Sequence, residues 1–139
     1  MKGGRMRRVV HLLTALLVIS IVLGTIGCGG KPSLASPEDT VREYHRAMEA
    51  KDKYRMANLL ADSEQRRTLL RFTDFSGIDT IRVSALEIEI ISESDNEAFV
   101  KVAEEVEINK SGEITTQHLG GTWHLVKQND RWLIVTFQS

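Results

Sequence analysis

The pattern of apolar and polar positions divides the chain into three parts. Residues 9–26 are almost continuously apolar, residues 37–72 repeat apolar positions at helical spacing, and residues 80–137 alternate apolar with polar. Periods of 3.6 and 2 are typical of amphipathic helices and half-buried strands, respectively. Helices followed by strands predict an α+β fold, in which N-terminal helices pack on an antiparallel four-stranded sheet.

The clearest helix start lies at residues 36–39. Ser36 can cap the helix, Pro37 suits its first position, and Asp39 completes a capping box. We therefore predict a helix from Pro37 to about Ala50. Its inward stripe, at positions i, i+3, i+4 and i+7, consists of Val41, Tyr44, His45 and Met48.

Two shorter helices are predicted before the sheet. One face of the first helix is lined by Tyr54, Ala57 and Leu60, and the second helix places Leu69, Leu70 and Phe72 against the core. Both helices are expected to cover one face of the sheet.

The alternation in the strand region changes phase between Ala85 and Leu86, which predicts a β-bulge. Polar turns are expected at residues 92–97, 109–112 and 128–130, and they separate four strands. The pair Gly120 and Gly121 is expected to bend the third strand. Trp123 and Trp132 are expected to face each other across the last hairpin.

The N-terminal segment has the features of an export signal. Basic residues precede the apolar run, residues 1–27 contain no acid, and the single cysteine of the chain follows at position 28. The junction Thr25-Ile26-Gly27-Cys28 resembles the lipobox of bacterial prolipoproteins. This resemblance implies a signal peptide over residues 1–27, a lipid on Cys28 and a flexible tether over residues 28–35. The alternative is a transmembrane anchor with an incidental cysteine.

Length, charge and cysteine content exclude some classes of partner and of covalent stabilisation. The 139-residue length suggests one domain, and after residue 27 there are 14 basic and 19 acidic residues. An acidic balance argues against a nucleic-acid partner, which would require clustered positive charge. A single cysteine excludes a disulfide within the chain.

The segment Lys51-Asp52-Lys53-Tyr54 and the final hairpin over residues 122–135 resemble the nuclear-transport-factor-2-like (cystatin-like) superfamily. The resemblance spans residues 36–139 and implies a cone, in which helices lie inside a bent sheet and often enclose a pocket. The superfamily includes ketosteroid isomerases and dehydratases, and also many non-catalytic binding domains, so the fold alone does not decide the activity.

Three residues are candidates for chemistry. Glu104 lies between Val102 and Val106 on the inner face of its strand, where a carboxylate can act as a general base. His45, and alternatively Tyr44, can supply a proton donor from the first helix. The competing interpretations are a local bulge that turns Glu104 outward and a histidine that merely completes the core.

No motif for a metal or a cofactor is evident, and none is expected. We expect a lipid-anchored protein of the bacterial cell membrane or outer membrane, facing the periplasm or the exterior. Its domain is expected to bind or scaffold without catalysis, with an envelope protein or a small hydrophobic ligand as partner. The alternatives are an isomerase or dehydratase acting on a hydrophobic molecule, and a protein whose exposed strand edge pairs with another chain.

Overall fold

The computed structural model describes residues 33–138. The predicted signal peptide over residues 1–27 and the predicted lipidation site Cys28 lie outside the described residues. Between residues 33 and 138, no helix has the length and apolar character needed to cross a bilayer.

Three helices precede the sheet: α1 is Pro37–Glu49, α2 is Lys53–Ala57 and α3 is Ser63–Phe72. The capping box of α1 is confirmed, since Oγ of Ser36 accepts from the Asp39 N–H at 3.1 Å and the Asp39 carboxylate accepts from the Ser36 N–H at 3.2 Å. The side chains of Asp52 and Asp62 cap α2 and α3 by accepting from N–H groups of their first turns. These caps satisfy backbone groups that a helix start leaves without partners.

Four strands form one open antiparallel sheet in the order β1-β2-β3-β4, which confirms the α+β prediction. Their bounds are Thr80–Glu93 for β1, Glu97–Lys110 for β2, Glu113–Gln128 for β3 and Arg131–Gln138 for β4. Each strand pairs with its neighbour in the chain, as short turns favour.

The predicted phase change in β1 is confirmed as an irregularity of pairing. The register between β1 and β2 shifts between Val83 and Ala85, and a second shift separates Ile90 from Ser92. The first shift places Val83 opposite Val106 and Leu86 opposite Glu104. A one-residue insertion thus keeps both apolar runs of β1 on the face that the helices cover.

The core lies between α1, the segment after α2 and the inner face of the sheet. Leu34 belongs to it, although it falls in the segment predicted as a tether, and its carbonyl accepts from the N–H of Trp132 at 3.1 Å. Leu34 is therefore part of the packed domain rather than of a flexible tether. The most deeply buried apolar residues of the sheet are Ala98, Val100, Val102, Leu125 and Ile134.

Two predictions about aromatic residues are wrong. Phe72 is 72% exposed rather than packed against the core, because α3 packs mainly on α2. Trp123 pairs with Phe137 rather than with Trp132. The turn between Gln128 and Arg131 has only two central residues, both with positive φ, so it sets a tighter hairpin than the predicted pairing requires.

Candidate functional site

His45 projects from α1 onto the inner face of the sheet and is 3% exposed. Its Nδ1 atom lies 2.7 Å from the carbonyl oxygen of Val41, one turn earlier in the helix. Because a carbonyl oxygen can only accept, Nδ1 carries a proton and donates it. The ring is therefore held in one orientation, with Nε2 directed at the sheet.

Glu104 meets His45 from the centre of β2. The Oε2 atom of Glu104 lies 2.5 Å from Nε2 of His45, and the Glu104 side chain is 13% exposed. The pairing of β2 with β3 runs without a shift through this region, so the local bulge that would turn Glu104 outward is absent. The structure thus brings together the two residues proposed as a pair from sequence.

The protonation of this pair follows from its geometry. Since Nδ1 of His45 already carries one proton, a bare Nε2 facing a carboxylate would place two lone pairs in contact. The contact is attractive only with a further proton between Nε2 and Oε2. A hydrogen bond therefore joins Nε2 and Oε2, and the pair uses both nitrogens of His45.

An aromatic cluster adjoins the pair and consists of Tyr44, Trp123 and Phe137. Tyr44 contacts Trp123 edge to face, with ring centroids 5.4 Å apart, and Phe137 contacts Trp123 in the same way at 4.6 Å. The imidazole of His45 stacks on Trp123 at 5.5 Å. Edge-to-face and stacked contacts of this kind stabilise aromatic groups beyond the burial of their area.

The outer boundary of the cluster is open to solvent. Phe137 is 45% exposed, and Leu119, which pairs with Glu104 across the sheet, is 48% exposed. Sequence reasoning missed Phe137, because a register shift between His124 and Leu125 inserts one residue into β4 and changes its alternation. The only signal in the sequence was an aromatic residue near the end of the chain.

Tyr44 is electrostatically coupled to the pair. Burial of its ring, and secondly the charge of Glu104, raise the pKa of Tyr44 to about 12. Both effects disfavour the phenolate, because it would be a second anion in a poorly hydrated place. At neutral pH Tyr44 is therefore a protonated hydroxyl, which can donate a hydrogen bond.

The surface beside His45 is a shallow groove of about 180 Å³. It is lined by Val83 and Leu86 of β1 and by residues of α1, namely Arg42, His45, Arg46 and Glu49. Two larger depressions, of about 580 and 540 Å³, lie at the turns around Asn129 and around Ser76, away from the pair. Neither has Glu104 in its lining.

Two further histidines of residues 33–138, His118 and His124, lie on the outer face of the sheet. His118 is 77% exposed and 3.3 Å from Glu105, and His124 is 2.8 Å from Glu97. Residues 33–138 contain no group of three or more potential ligands that could hold a metal ion.

Sequence reasoning also missed the burial of Glu43. Its Oε1 atom accepts from Nε of Arg55 at 2.5 Å, and its Oε2 atom lies 3.8 Å from Arg46 without a hydrogen bond. The pair ties α1 to α2, and the hydrogen bond to Glu43 is the main cause that raises the pKa of Arg55. Glu43 precedes Tyr44 within the span of the predicted inward stripe, so the buried side of α1 is wider than the spacing indicated.

No family model and no curated protein matches the sequence. Solved structures do match, 26 chains in all. A SEC-C motif containing protein from Rhodopseudomonas palustris aligns over 77% of this chain and 80% of its own, with a TM-score of 0.52 and 21% identity. A Mycobacterium tuberculosis protein of unknown function aligns over 70% of this chain and 64% of its own, with a TM-score of 0.52 and 16% identity.

The intermembrane space region of the chloroplast protein ARC6 aligns over 79% of this chain and 100% of its own, with a TM-score of 0.53 and 14% identity. At such identities these similarities show a shared fold, and function has to be argued from the site.

Proposed function

We propose that the chain is a lipid-anchored protein of the bacterial cell envelope, whose domain binds an apolar ligand or partner without catalysis. The binding surface is the open side of the aromatic cluster, where Phe137 and Leu119 remain half exposed beside a buried pair. Exposed large apolar side chains beside a buried polar pair are typical of a binding site.

The observation that carries the non-catalytic proposal is the use of both ring nitrogens of His45. Nδ1 donates to Val41 within α1, and Nε2 is engaged by Glu104. A general acid or base needs a free position toward its substrate. His45 has none in this arrangement, so the pair serves to hold α1 on the sheet and to shape the surface next to it.

Trp123 offers a direct test, because its ring contacts Phe137. In the full chain carrying Trp132→Phe, Trp123 is the remaining tryptophan. Tribromoethanol, a small apolar quencher, should quench its fluorescence in a saturable manner. Phe137→Ser should weaken this binding at least fivefold, whereas Ile114→Ser, an exposed apolar control on the other face, should not. Linear, collisional quenching that both variants leave unchanged would contradict the proposal.

The anchor rests on the sequence at residues 1–28 and is tested separately. The mass of the intact protein from bacterial membranes should correspond to a chain that begins at Cys28 and carries acyl groups. Cys28→Ser should yield an unprocessed chain that starts at Met1. An acyl-free Cys28 in the membrane form would overturn the anchor without affecting the binding surface.

The distribution of charge supports a membrane as one partner. Residues 51–72 carry six basic and three acidic residues, whereas the rest of residues 33–138 carries seven basic and sixteen acidic ones. In the same segment the exposed rings of Tyr54 and Phe72 each have a cation nearby, Lys53 at 5.8 Å and Arg71 at 5.3 Å. Basic and aromatic side chains together suit the surface of an anionic bilayer.

Isomerase or dehydratase activity on a hydrophobic molecule is the second candidate. One observation favours it: the Tyr44 ring lies 6.1 Å from the ring of His45, which contacts Glu104, so a carboxylate and a phenol hydroxyl lie near each other. The full chain incubated with hydrophobic ketones in D₂O should then exchange their α-protons. Glu104→Gln and Tyr44→Phe should each abolish that exchange, and its absence in the unaltered chain would remove the candidate.

We further infer that the domain is nuclear-transport-factor-2-like, with its sheet bent into a cone. The order of three helices before a four-stranded meander, and the irregularities of β1 at Val83/Ala85 and Ile90/Ser92, support this assignment. Bulges increase the twist and bend of a strand, which a cone requires.

A further inference from the structure

Half of strand β3 has a partner on one side only. Residues 113–121 pair with β2, from Glu113 opposite Lys110 to Gly121 opposite Val102. The pairing of β3 with β4 begins only at Thr122. Within residues 33–138 no other strand pairs with this part of β3, which we call the open edge (residues 113–121 of β3).

The alternation of the ladder shows which groups the open edge presents. Just outside the two strands, the Lys127 N–H donates to the Asn96 carbonyl at 2.9 Å, so this pair is a hydrogen-bonded one. Hydrogen-bonded and non-hydrogen-bonded pairs alternate in an antiparallel ladder, and the register here is unbroken. Odd-numbered residues of β3 therefore bond to β2. The residues that direct both N–H and C=O outward are Ile114, Thr116, His118 and Gly120.

The two outer strands of the sheet have protected edges, in contrast to the open edge. β1 contains two register shifts and alternates Glu87 and Glu89 with its apolar residues. β4 is covered in part, because the Ile134 N–H donates to Leu59 and the Trp132 N–H donates to Leu34. The open edge has no bulge, no proline and no lysine, the usual devices against pairing with another strand.

We propose that the open edge pairs antiparallel with the open edge of a second copy of this chain, which joins two sheets into one of eight strands. A twofold axis perpendicular to the sheet keeps each face on its own side, so odd residues must oppose odd residues. When the axis passes through Gln117, every residue of the open edge lies opposite a residue of the second copy. It places His118 opposite Thr116 and Gly120 opposite Ile114 of the second copy, as hydrogen-bonded pairs.

The open edge is self-complementary in this register. Its one acidic or basic residue other than His118 is Glu113, which lies opposite Gly121 of the second copy and far from the second Glu113. No like charges meet, and the side chain of Ile114 covers the bare backbone at Gly120. The four outward residues of each copy supply about eight main-chain hydrogen bonds across the axis. Pairing between two identical edges gives a closed dimer. Pairing of the open edge with β1 of another copy would leave further edges free and would continue into a fibre.

Cysteine cross-linking of the full chain in bacterial membranes tests both the pairing and its register. Cβ atoms of residues on the axis lie about 5 Å apart in a non-hydrogen-bonded pair, within reach of a disulfide. The Gln117→Cys chain should therefore form a disulfide dimer on mild oxidation, at least tenfold above the chain that carries only Cys28. Thr115→Cys and Leu119→Cys are matched controls, since each residue lies about 13 Å from the same residue of the second copy. Neither should cross-link alone, but the two chains mixed should.

Two further variants separate pairing from random collision. Thr116→Pro in the Gln117→Cys chain removes an outward N–H but leaves the hydrogen bonds between β2 and β3 intact. It should reduce the amount of disulfide dimer to that of the chain that carries only Cys28. Thr116→Lys should have the same effect if the proline variant fails to fold. Equal cross-linking by Thr115→Cys and Gln117→Cys, or a Gln117→Cys dimer that both variants leave intact, would overturn the proposal. So would the absence of a Gln117→Cys dimer in a folded chain.

Discussion

Nε2 of His45 lies 2.5 Å from Oε2 of Glu104, although 59 residues separate the two in the chain. The contact joins the middle of α1 to the middle of β2 and is screened from solvent on both sides. It therefore sets how the first helix lies on the sheet, and with it the position of Tyr44 beside Trp123 and Phe137.

Removing one partner of the pair should destabilise the domain strongly. His45→Ala leaves Glu104 without its partner, and we expect a loss of roughly 3 kcal/mol in the free energy of unfolding, because an uncompensated buried group remains. Glu104→Ala should lower the free energy of unfolding by less than this. The double variant should lower it by clearly less than the sum of the two single losses. Chemical denaturation of all four chains measures the coupling as a double-mutant cycle.

The neighbouring pair of His118 and Glu105 provides the control for that cycle. The two side chains are 3.3 Å apart, but His118 is 77% exposed. Water and salt screen such a pair, and its coupling should stay below about 1 kcal/mol. Equal coupling energies for the two pairs would show that the burial of His45 does not strengthen its contact.

Ionisation of Tyr44 should weaken the fold at alkaline pH. The folded-state pKa of about 12 lies above the ordinary value of 10.0, so between these values the unfolded chain has released a proton that the folded chain keeps. The stability is thus fully present below pH 10 and falls as the pH rises to about 12, by roughly 2–3 kcal/mol. Denaturation as a function of pH should show this fall, and Tyr44→Phe should remove it.

Absorbance titration separates the two causes of the raised pKa. The chain has two tyrosines, so in Tyr54→Phe the change of absorbance comes from Tyr44 alone and should be centred near pH 12. Glu104→Gln should lower that midpoint but leave it above 10, because burial is the larger cause. A midpoint unaffected by Glu104→Gln would mean that the carboxylate charge does not act on the Tyr44 hydroxyl.

The buried carboxylate of Glu43 should make Arg55 necessary for stability. Arg55→Met leaves that carboxylate without its hydrogen bond, and we expect a loss of roughly 3 kcal/mol. Arg46→Met should cost less than about 1 kcal/mol, since Arg46 is exposed and 3.8 Å away. Replacing Glu43 and Arg55 together by methionine should restore most of the stability that Arg55→Met loses. Thermal melts of the four chains provide the comparison.

The capping box at the start of α1 should contribute measurably to the stability of the domain. Ser36→Ala removes the acceptor for the Asp39 N–H and should lower the free energy of unfolding by about 1 kcal/mol. Ser33→Ala, at an exposed position before the helix, serves as the control. A change smaller than that of the control would mean that the helix start is held by Pro37 and the packing of Thr40 alone.

Local patterns were sufficient for the elements of this protein. The caps at Ser36 and Asp39, the order of helices and strands, and the phase change near Ala85 depend on residues close together in sequence, and each could be predicted. The pair of His45 and Glu104 was also accessible as a hypothesis. Each residue interrupts an otherwise inward apolar stripe, and the two stripes must meet in a two-layer fold.

Tertiary packing decided what the patterns left open. Tyr54 and Phe72 have helical spacing suited to burial, yet both rings are exposed, and α2 and α3 pack mainly on other helices. Phe137 joins the cluster only because β4 carries an inserted residue, and Glu43 is buried only because Arg55 arrives from the next helix. Periodicity describes which side of an element is apolar. Which neighbour covers that side depends on distances between elements, and those arise only when the whole chain has packed.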